Sequence, residues 1–141
     1  MTGPVATMTL ERLREVAGRL AAEEGLDLVV LFGSAARDGF ARAEDVDIAV
    51  RGARPLDLIA LTVQFIEALG TDAVDLADLR TADALLLALV ARDGVVLYEG
   101  RPSAFAEFDS YAMRRLADTR KFREAEREDI ADFLAEWRRA R

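Results

Sequence analysis

The sequence of 141 residues contains no cysteine and no histidine. Without cysteine the chain can form neither a disulfide nor a thiolate nucleophile. Without histidine it has no imidazole base and no histidine-ligated zinc site. Any catalysis must therefore depend on carboxylates, hydroxyl groups, lysine or arginine, or on a metal ion.

The sequence also lacks long apolar runs and an excess of positive charge. No apolar run is long enough to cross a bilayer, and the residues from Met1 to Met8 do not resemble a signal peptide, so we expect a cytoplasmic protein without membrane contact. Either methionine could be the natural start. The net charge of −7 argues against direct binding to nucleic acids. The length of 141 residues predicts one domain over 1–141 with a real core, and the hydrophobic content of 52% is that of a globular protein.

Two short stretches stand out between residues 28 and 50. The apolar run Leu28–Phe32 ends in Gly33-Ser34, and ten residues later a second apolar run begins at Asp45 and contains Asp47. The pattern predicts a strand, a turn with a short helix, a loop and a second strand over 45–50. In that strand, Asp45 and Asp47 would share a face. Neighbouring carboxylates suit Mg²⁺, and backbone N–H groups at a helix start attract phosphate. The alternative is an ordinary turn followed by solvated aspartates.

Helices and strands alternate along the rest of the chain. We predict helices over 10–24, 56–69 and 82–92, with Thr9 and Thr81 as N-caps of the first and third, and strands over 73–79 and 95–98. This alternation predicts an α/β fold, an α+β sandwich with a small mixed sheet of about four strands and helices packed on it. The core would cover about 8–100, followed by a helical C-terminal extension over about 102–141.

The predicted strand over 73–79 supplies a third candidate carboxylate. Asp75 shares a face with Ala73 and Ala77, and small neighbours leave room for a ligand beside it. We therefore predict Asp75 as a metal ligand. Two alternatives stay open: Asp75 only caps the strand, or Asp72 or Asp78 takes its role.

The C-terminal extension carries an apolar stripe at helical spacing, formed by Ile130, Phe133, Leu134 and Trp137. One interpretation is that this stripe covers the core of the protein itself. The other is that it docks a partner, either a second copy of the chain or a different protein, because tryptophan is a frequent interface anchor. The sequence leaves both interpretations open.

The spacing of Gly33-Ser34, ten residues and Asp45-Val46-Asp47 resembles the nucleotidyltransferase superfamily of DNA polymerase β. Within it, Gly33-Ser34-Ala35-Ala36-Arg37 is similar to the minimal nucleotidyltransferase (MNT) proteins, although Glu44 stands where these have a serine. The resemblance covers roughly residues 8–100. It implies the nucleotidyltransferase fold and a metal-dependent reaction with ATP as substrate.

The resemblance also implies roles for the candidate residues. The carboxylates would be catalytic and would hold two Mg²⁺ ions; these are Asp45, Asp47 and Asp75. The phosphates of ATP would be contacted by Gly33, Ser34 and Arg37. The alternative role for Arg37 is a salt bridge to Asp38 or Glu44.

Many MNT proteins pair with a HEPN-domain protein as antitoxin and toxin. The resemblance therefore implies transfer of AMP to a hydroxyl, that of a tyrosine, on a HEPN-type toxin. The chain is too short to contain a separate domain for an acceptor, which agrees with an acceptor brought by a partner. Two alternatives are a non-catalytic antitoxin that neutralises its partner by binding, and a nucleotidyltransferase that modifies a small molecule such as an antibiotic.

Overall fold

The computed structural model describes residues 4–119 and 127–140. Its strands are β1 (Leu26–Phe32), β2 (Val46–Gly52), β3 (Val74–Asp78) and β4 (Val95–Glu99). Its α-helices are α1 (Leu10–Glu24), α2 (Gly33–Asp38), α3 (Leu58–Leu69), α4 (Ala84–Asp93), α5 (Ala104–Asp118) and α6 (Arg127–Ala140), and a 3₁₀ turn (Val5–Thr7) precedes α1. The predicted α/β architecture with a helical C-terminal extension is confirmed.

The four strands form one mixed sheet in the order β3-β2-β1-β4. Strand β1 is antiparallel to both of its neighbours, whereas β2 and β3 are parallel and are connected through α3. A parallel pair needs such a crossover because its strands run in the same direction. The continuous apolar character of Leu28–Phe32 follows from the position of β1, since a strand inside a sheet covered on both faces is buried on both sides.

Helices cover both faces of the sheet and produce two cores. On one face, α1 and α3 pack on the sheet through residues that include Leu13, Leu20 and Phe65. On the other face, α4 and α5 do so through Leu87 and Phe108. Side chains of β2 alternate between these two cores because the strand has a period of two. Ile48 and Val50 enter the first core, and Ala49 enters the second.

Several predicted boundaries needed correction. Strand β2 begins at Val46, so Asp45 lies just before the strand and not within it. Helix α3 begins at Leu58 after an N-cap at Asp57, two residues later than predicted. Thr81 was wrong as the N-cap of α4. Its backbone N–H donates to the carbonyl of Asp78 in a turn, and Asp83 caps the helix two residues further on.

The C-terminal extension is helical in the part that the structure describes. Helix α5 buries Phe108 and Ala112 against the sheet. Helix α6 carries the predicted stripe, in which Leu134 and Trp137 are half-buried. The side chains of Ile130 and Phe133 lie outside the described residues. Across 4–119 and 127–140, none of the helices combines the length and the apolar character needed to cross a membrane.

Candidate active site

Three side chains form a row across the sheet at the end of β1. Phe32 of β1 is in register with Asp47 of β2, and Asp47 is in register with Asp75 of β3. Residues in register on neighbouring strands point to the same face, and neighbouring strands lie about 4.8 Å apart. The sheet therefore places the carboxylates of Asp47 and Asp75 side by side, with the Phe32 ring next to Asp47.

The next row on the same face consists of small residues. Ala49 is in register with Ala77, so methyl groups follow the two carboxylates along the strands. The two acids differ in their surroundings, because Asp47 is only 4% exposed whereas Asp75 is exposed. Asp47 thus forms the inner end of the carboxylate pair, and Asp75 forms the end that faces solvent.

The carboxylate pair opens into a cavity of about 450 Å³. Leu86 and Leu89 of α4 contribute an apolar wall, and Trp137 reaches the cavity from α6. Asp83 lies at the same cavity, where its carboxylate also accepts a hydrogen bond of 2.8 Å from the backbone N–H of Leu86. Within the described residues, the charged side chains lining this cavity are all carboxylates. A ligand here must bring hydrogen-bond donors, a cation or apolar surface.

Asp45 does not line this cavity. It lies one residue before β2 and is exposed. Over residues 4–119 and 127–140, no three acidic side chains are grouped closely enough to hold a metal ion. The structure therefore brings together two of the three predicted metal ligands, Asp47 and Asp75, and the role of Asp45 stays a prediction.

Gly33 and Ser34 follow the row directly. Gly33 is buried and starts α2 immediately after Phe32. Its φ of +73° is a backbone conformation that only glycine adopts without strain. Ser34 opens onto a separate depression of about 380 Å³, which Arg42 also lines. Sequence reasoning did not single out Arg42, because nothing in its context distinguishes it from other loop arginines.

Arg37 is half-buried at the end of α2. Its Nε and Nη2 atoms are buried and have no hydrogen-bond partner among the described residues. No ion pair joins it to Asp38 or Glu44 in that part of the chain. Its positive charge acts instead on Asp93 at the end of α4. The pKa of Asp93 is held below its usual value mainly by a hydrogen bond from Arg92, with smaller contributions from the charges of Arg37 and Arg138.

Trp137 is one of the lining residues that the sequence did not indicate as part of the site. Its spacing predicted a helix with an apolar stripe and did not indicate what that stripe contacts. No local pattern connects residue 137 with β2 or β3, because the approach depends on where α6 lies in the folded chain. The structure places the Trp137 side chain at the cavity of the carboxylate pair.

A Gly-Ser turn beside carboxylates on adjacent strands of a mixed sheet is characteristic of a nucleotidyltransferase. The family model described as "Polymerase beta, Nucleotidyltransferase" matches residues 15–102, and the chain belongs to this family. The match includes the Gly33-Ser34 turn, the Asp45-Val46-Asp47 sequence and Asp75. The predicted resemblance to this superfamily is confirmed.

The comparison with curated proteins finds a relative in the same family. The chain is 29% identical over 142 aligned positions to "Protein adenylyltransferase MntA" of Aphanizomenon flos-aquae (strain 2012/KM1/D3). The alignment covers 92% of this chain and 95% of the relative. The similarity therefore extends beyond the family domain into the C-terminal extension.

Solved structures agree with this result. A chain in a crystal structure of a toxin–antitoxin with AMP-PNP is 30% identical, with a TM-score of 0.72 and coverage of 84% of this chain and 98% of that chain. A chain in a structure of a tri-AMPylated Shewanella oneidensis HEPN toxin in complex with an MNT antitoxin is 29% identical, with a TM-score of 0.69 and coverage of 87% and 99%. These similarities confirm the recognition of the chain as an MNT protein of the MntA type.

Proposed function

We propose that this chain transfers AMP from ATP to a tyrosine hydroxyl of a HEPN-type partner toxin and thereby acts as its antitoxin. The observation that carries the proposal is the register of Asp47 with Asp75 within a nucleotidyltransferase fold. The relatives support it, because one is named a protein adenylyltransferase and another was solved with an AMPylated HEPN toxin. In the reaction, the tyrosine oxygen forms a bond to the α-phosphorus of ATP. The bond between the α-phosphorus and the oxygen that bridges it to the β-phosphorus breaks, and pyrophosphate leaves.

The carboxylate pair suits Mg²⁺. Carboxylate oxygens are the ligands that Mg²⁺ prefers, and Ala49 and Ala77 leave room along the strands. Asp47 and Asp75 would hold the metal, and Asp45 completes the set if its exposed side chain turns toward them. When bound, two Mg²⁺ ions supply positive charge that offsets the charge of the phosphates and favours ionisation of the acceptor hydroxyl.

The residues of the chain have distinct tasks in this proposal. Asp75 faces solvent at the rim, so an acceptor hydroxyl can reach it and give up its proton there. The backbone at Gly33 and the hydroxyl of Ser34 hold the phosphates. Arg37 offers buried N–H groups that need an acceptor, which supports a contact with an anionic oxygen. Because its substrate and partner are both intracellular, the protein works in the cytoplasm.

The test is a transfer assay with the purified full chain, ATP labelled at the α-phosphate, Mg²⁺ and the product of the neighbouring gene, which the proposal expects to be the HEPN-type partner. We expect label on the partner, and no label when the chain carries Asp45→Asn or Asp47→Asn. Both variants keep the size of the side chain and remove its charge, so circular dichroism should show an unchanged fold. Omission of Mg²⁺ should also abolish labelling.

The assay separates the proposal from its alternatives. A stable complex with the partner and no label would contradict catalysis and support neutralisation by binding. Label on a small hydroxylated compound, and none on the partner, would support the small-molecule alternative. Full transfer by Asp47→Asn would show that the carboxylate pair is not the catalytic site.

A further inference from the structure

We infer that Trp137 stacks on the base of the bound nucleotide, and that the cavity between the carboxylate pair and α6 is the base pocket. The inference rests on the proposed function, because it names the part of the substrate that this cavity takes. It concerns a residue beyond the matched family domain, which ends at residue 102.

The lining of the cavity fits a planar, weakly polar group. Leu86 and Leu89 of α4 and Trp137 of α6 line it with apolar surface, and the carboxylate pair lines it as well. Any of the nucleotide bases can stack on an indole, since every base has a π-face. The volume of about 450 Å³ lies in the range of pockets that enclose ligands of nucleoside size. A single tyrosine ring of an acceptor would fill only a small part of it.

The charges determine how the nucleotide is oriented. Asp47, Asp75 and Asp83 make the cavity acidic, so in the absence of a cation it disfavours phosphate groups. The separate depression at α2 is lined by Ser34 and Arg42, which suit phosphate oxygens, and also by Asp38. A nucleotide that uses both would place its phosphates toward Ser34 and its base against Trp137, with the carboxylate pair between them.

The chain provides its own reporter, because Trp137 is its only tryptophan. We expect a non-hydrolysable ATP analogue with Mg²⁺ to change the fluorescence of the full chain in a saturable manner. Inorganic tripolyphosphate with Mg²⁺ should bind without this change, since it has phosphates and no base. Calorimetry on the same samples measures binding independently of the fluorophore.

Variants separate stacking from folding. Trp137→Leu should lower the affinity for the ATP analogue by at least about fivefold, because the stacking contact with the base is lost. It should also raise the KM for ATP, while kcat changes by less than about twofold. Trp137→Phe retains a ring and should stay within about threefold of the wild type. Tripolyphosphate affinity should be the same in all three proteins. Tyr111→Leu removes an exposed aromatic residue that lines a different cleft, so it should leave ATP affinity unchanged.

Three results would contradict the inference. In the first, calorimetry detects binding of the ATP analogue, but the fluorescence does not change and Trp137→Leu binds the analogue with wild-type affinity. Trp137 then does not contact the base, whereas the proposed function is unaffected. If Trp137→Leu loses affinity for the HEPN-type partner alone, the cavity takes the acceptor instead. Wild-type protein that binds neither nucleotide nor tripolyphosphate would overturn the proposed function itself, and the inference with it.

Discussion

At the scale of single residues, Asp47 and Asp75 show what a sequence can and cannot specify. The face on which Asp47 lies follows from the alternation of apolar residues around it, so this could be predicted. Its alignment with Asp75 could not, because the register of two parallel strands depends on how α3 packs between them. Asp45 was placed in the strand because a pattern of alternating residues does not show where pairing with β3 begins.

Gly33 provides a test of backbone geometry at the candidate site. We predict that Gly33→Ala lowers the free energy of unfolding by about 1–2 kcal/mol, because a Cβ is strained at φ of +73°. Urea denaturation measures the change. Gly18→Ala is the matched control, since Gly18 lies inside α1, where a Cβ would only touch Tyr98 at 4.0 Å, and alanine there should add about 0.5–1 kcal/mol. Equal stability of Gly33→Ala and wild type would contradict the proposed strain.

At the scale of elements, apolar periodicity predicted most helices and strands, and the errors lie at their ends. Thr9 was correctly predicted as a cap, and its hydroxyl accepts from the backbone N–H of Arg12 at 3.1 Å. Thr81 was not, because Asp83 offers a stronger acceptor nearer to the first apolar turn of α4. What α6 contacts could not be predicted, since an amphipathic stripe is the same whether it covers the chain itself or another molecule.

The N-cap of α3 can be tested without touching the candidate site. The Asp57 carboxylate accepts from the backbone N–H of Ala60 at 3.1 Å. We predict that Asp57→Ala lowers the free energy of unfolding by about 1 kcal/mol, because that N–H loses its acceptor. Thermal and urea unfolding measure this loss. Asp57→Asn keeps a capping oxygen and should be nearly neutral, so equal losses in both variants would show that charge rather than capping is responsible.

At the scale of the whole molecule, acidic groups outnumber basic ones by 26 to 19, and no histidine titrates near neutral pH. The pKa of Asp93 is lowered from 3.8 in the folded chain, first by its hydrogen bond from Arg92. A lowered carboxyl pKa stabilises the fold above the unfolded pKa, and that stability is lost as the pH falls through the folded pKa. This contribution is therefore fully present at neutral pH and is lost progressively as the pH falls below about 4.

We predict that between neutral pH and about pH 3 the free energy of unfolding falls less in Arg92→Gln than in the wild type. The reason is that the pKa of Asp93 moves back toward its ordinary value when Arg92 is removed. The difference should be about 0.5 kcal/mol, since the Arg92 side chain is 42% exposed and water screens the pair. Urea unfolding at both pH values measures it. Arg114→Gln removes an exposed arginine of α5 that forms no ion pair within the described residues, so it should keep the wild-type acid dependence. Identical acid dependence in all three proteins would refute the assignment.

The account depends on the carboxylate pair that two neighbouring strands hold on one face of the sheet. The most direct test is the intact mass of the HEPN-type partner after incubation with ATP, Mg²⁺ and either Asp75→Asn or Asp78→Asn. Both changes remove one charge from β3, but Asp75 lies in register with Asp47, whereas Asp78 lies in register with Val50 on the opposite face. We predict AMP on the partner with Asp78→Asn and none with Asp75→Asn. Equal modification by both variants would contradict the central claim.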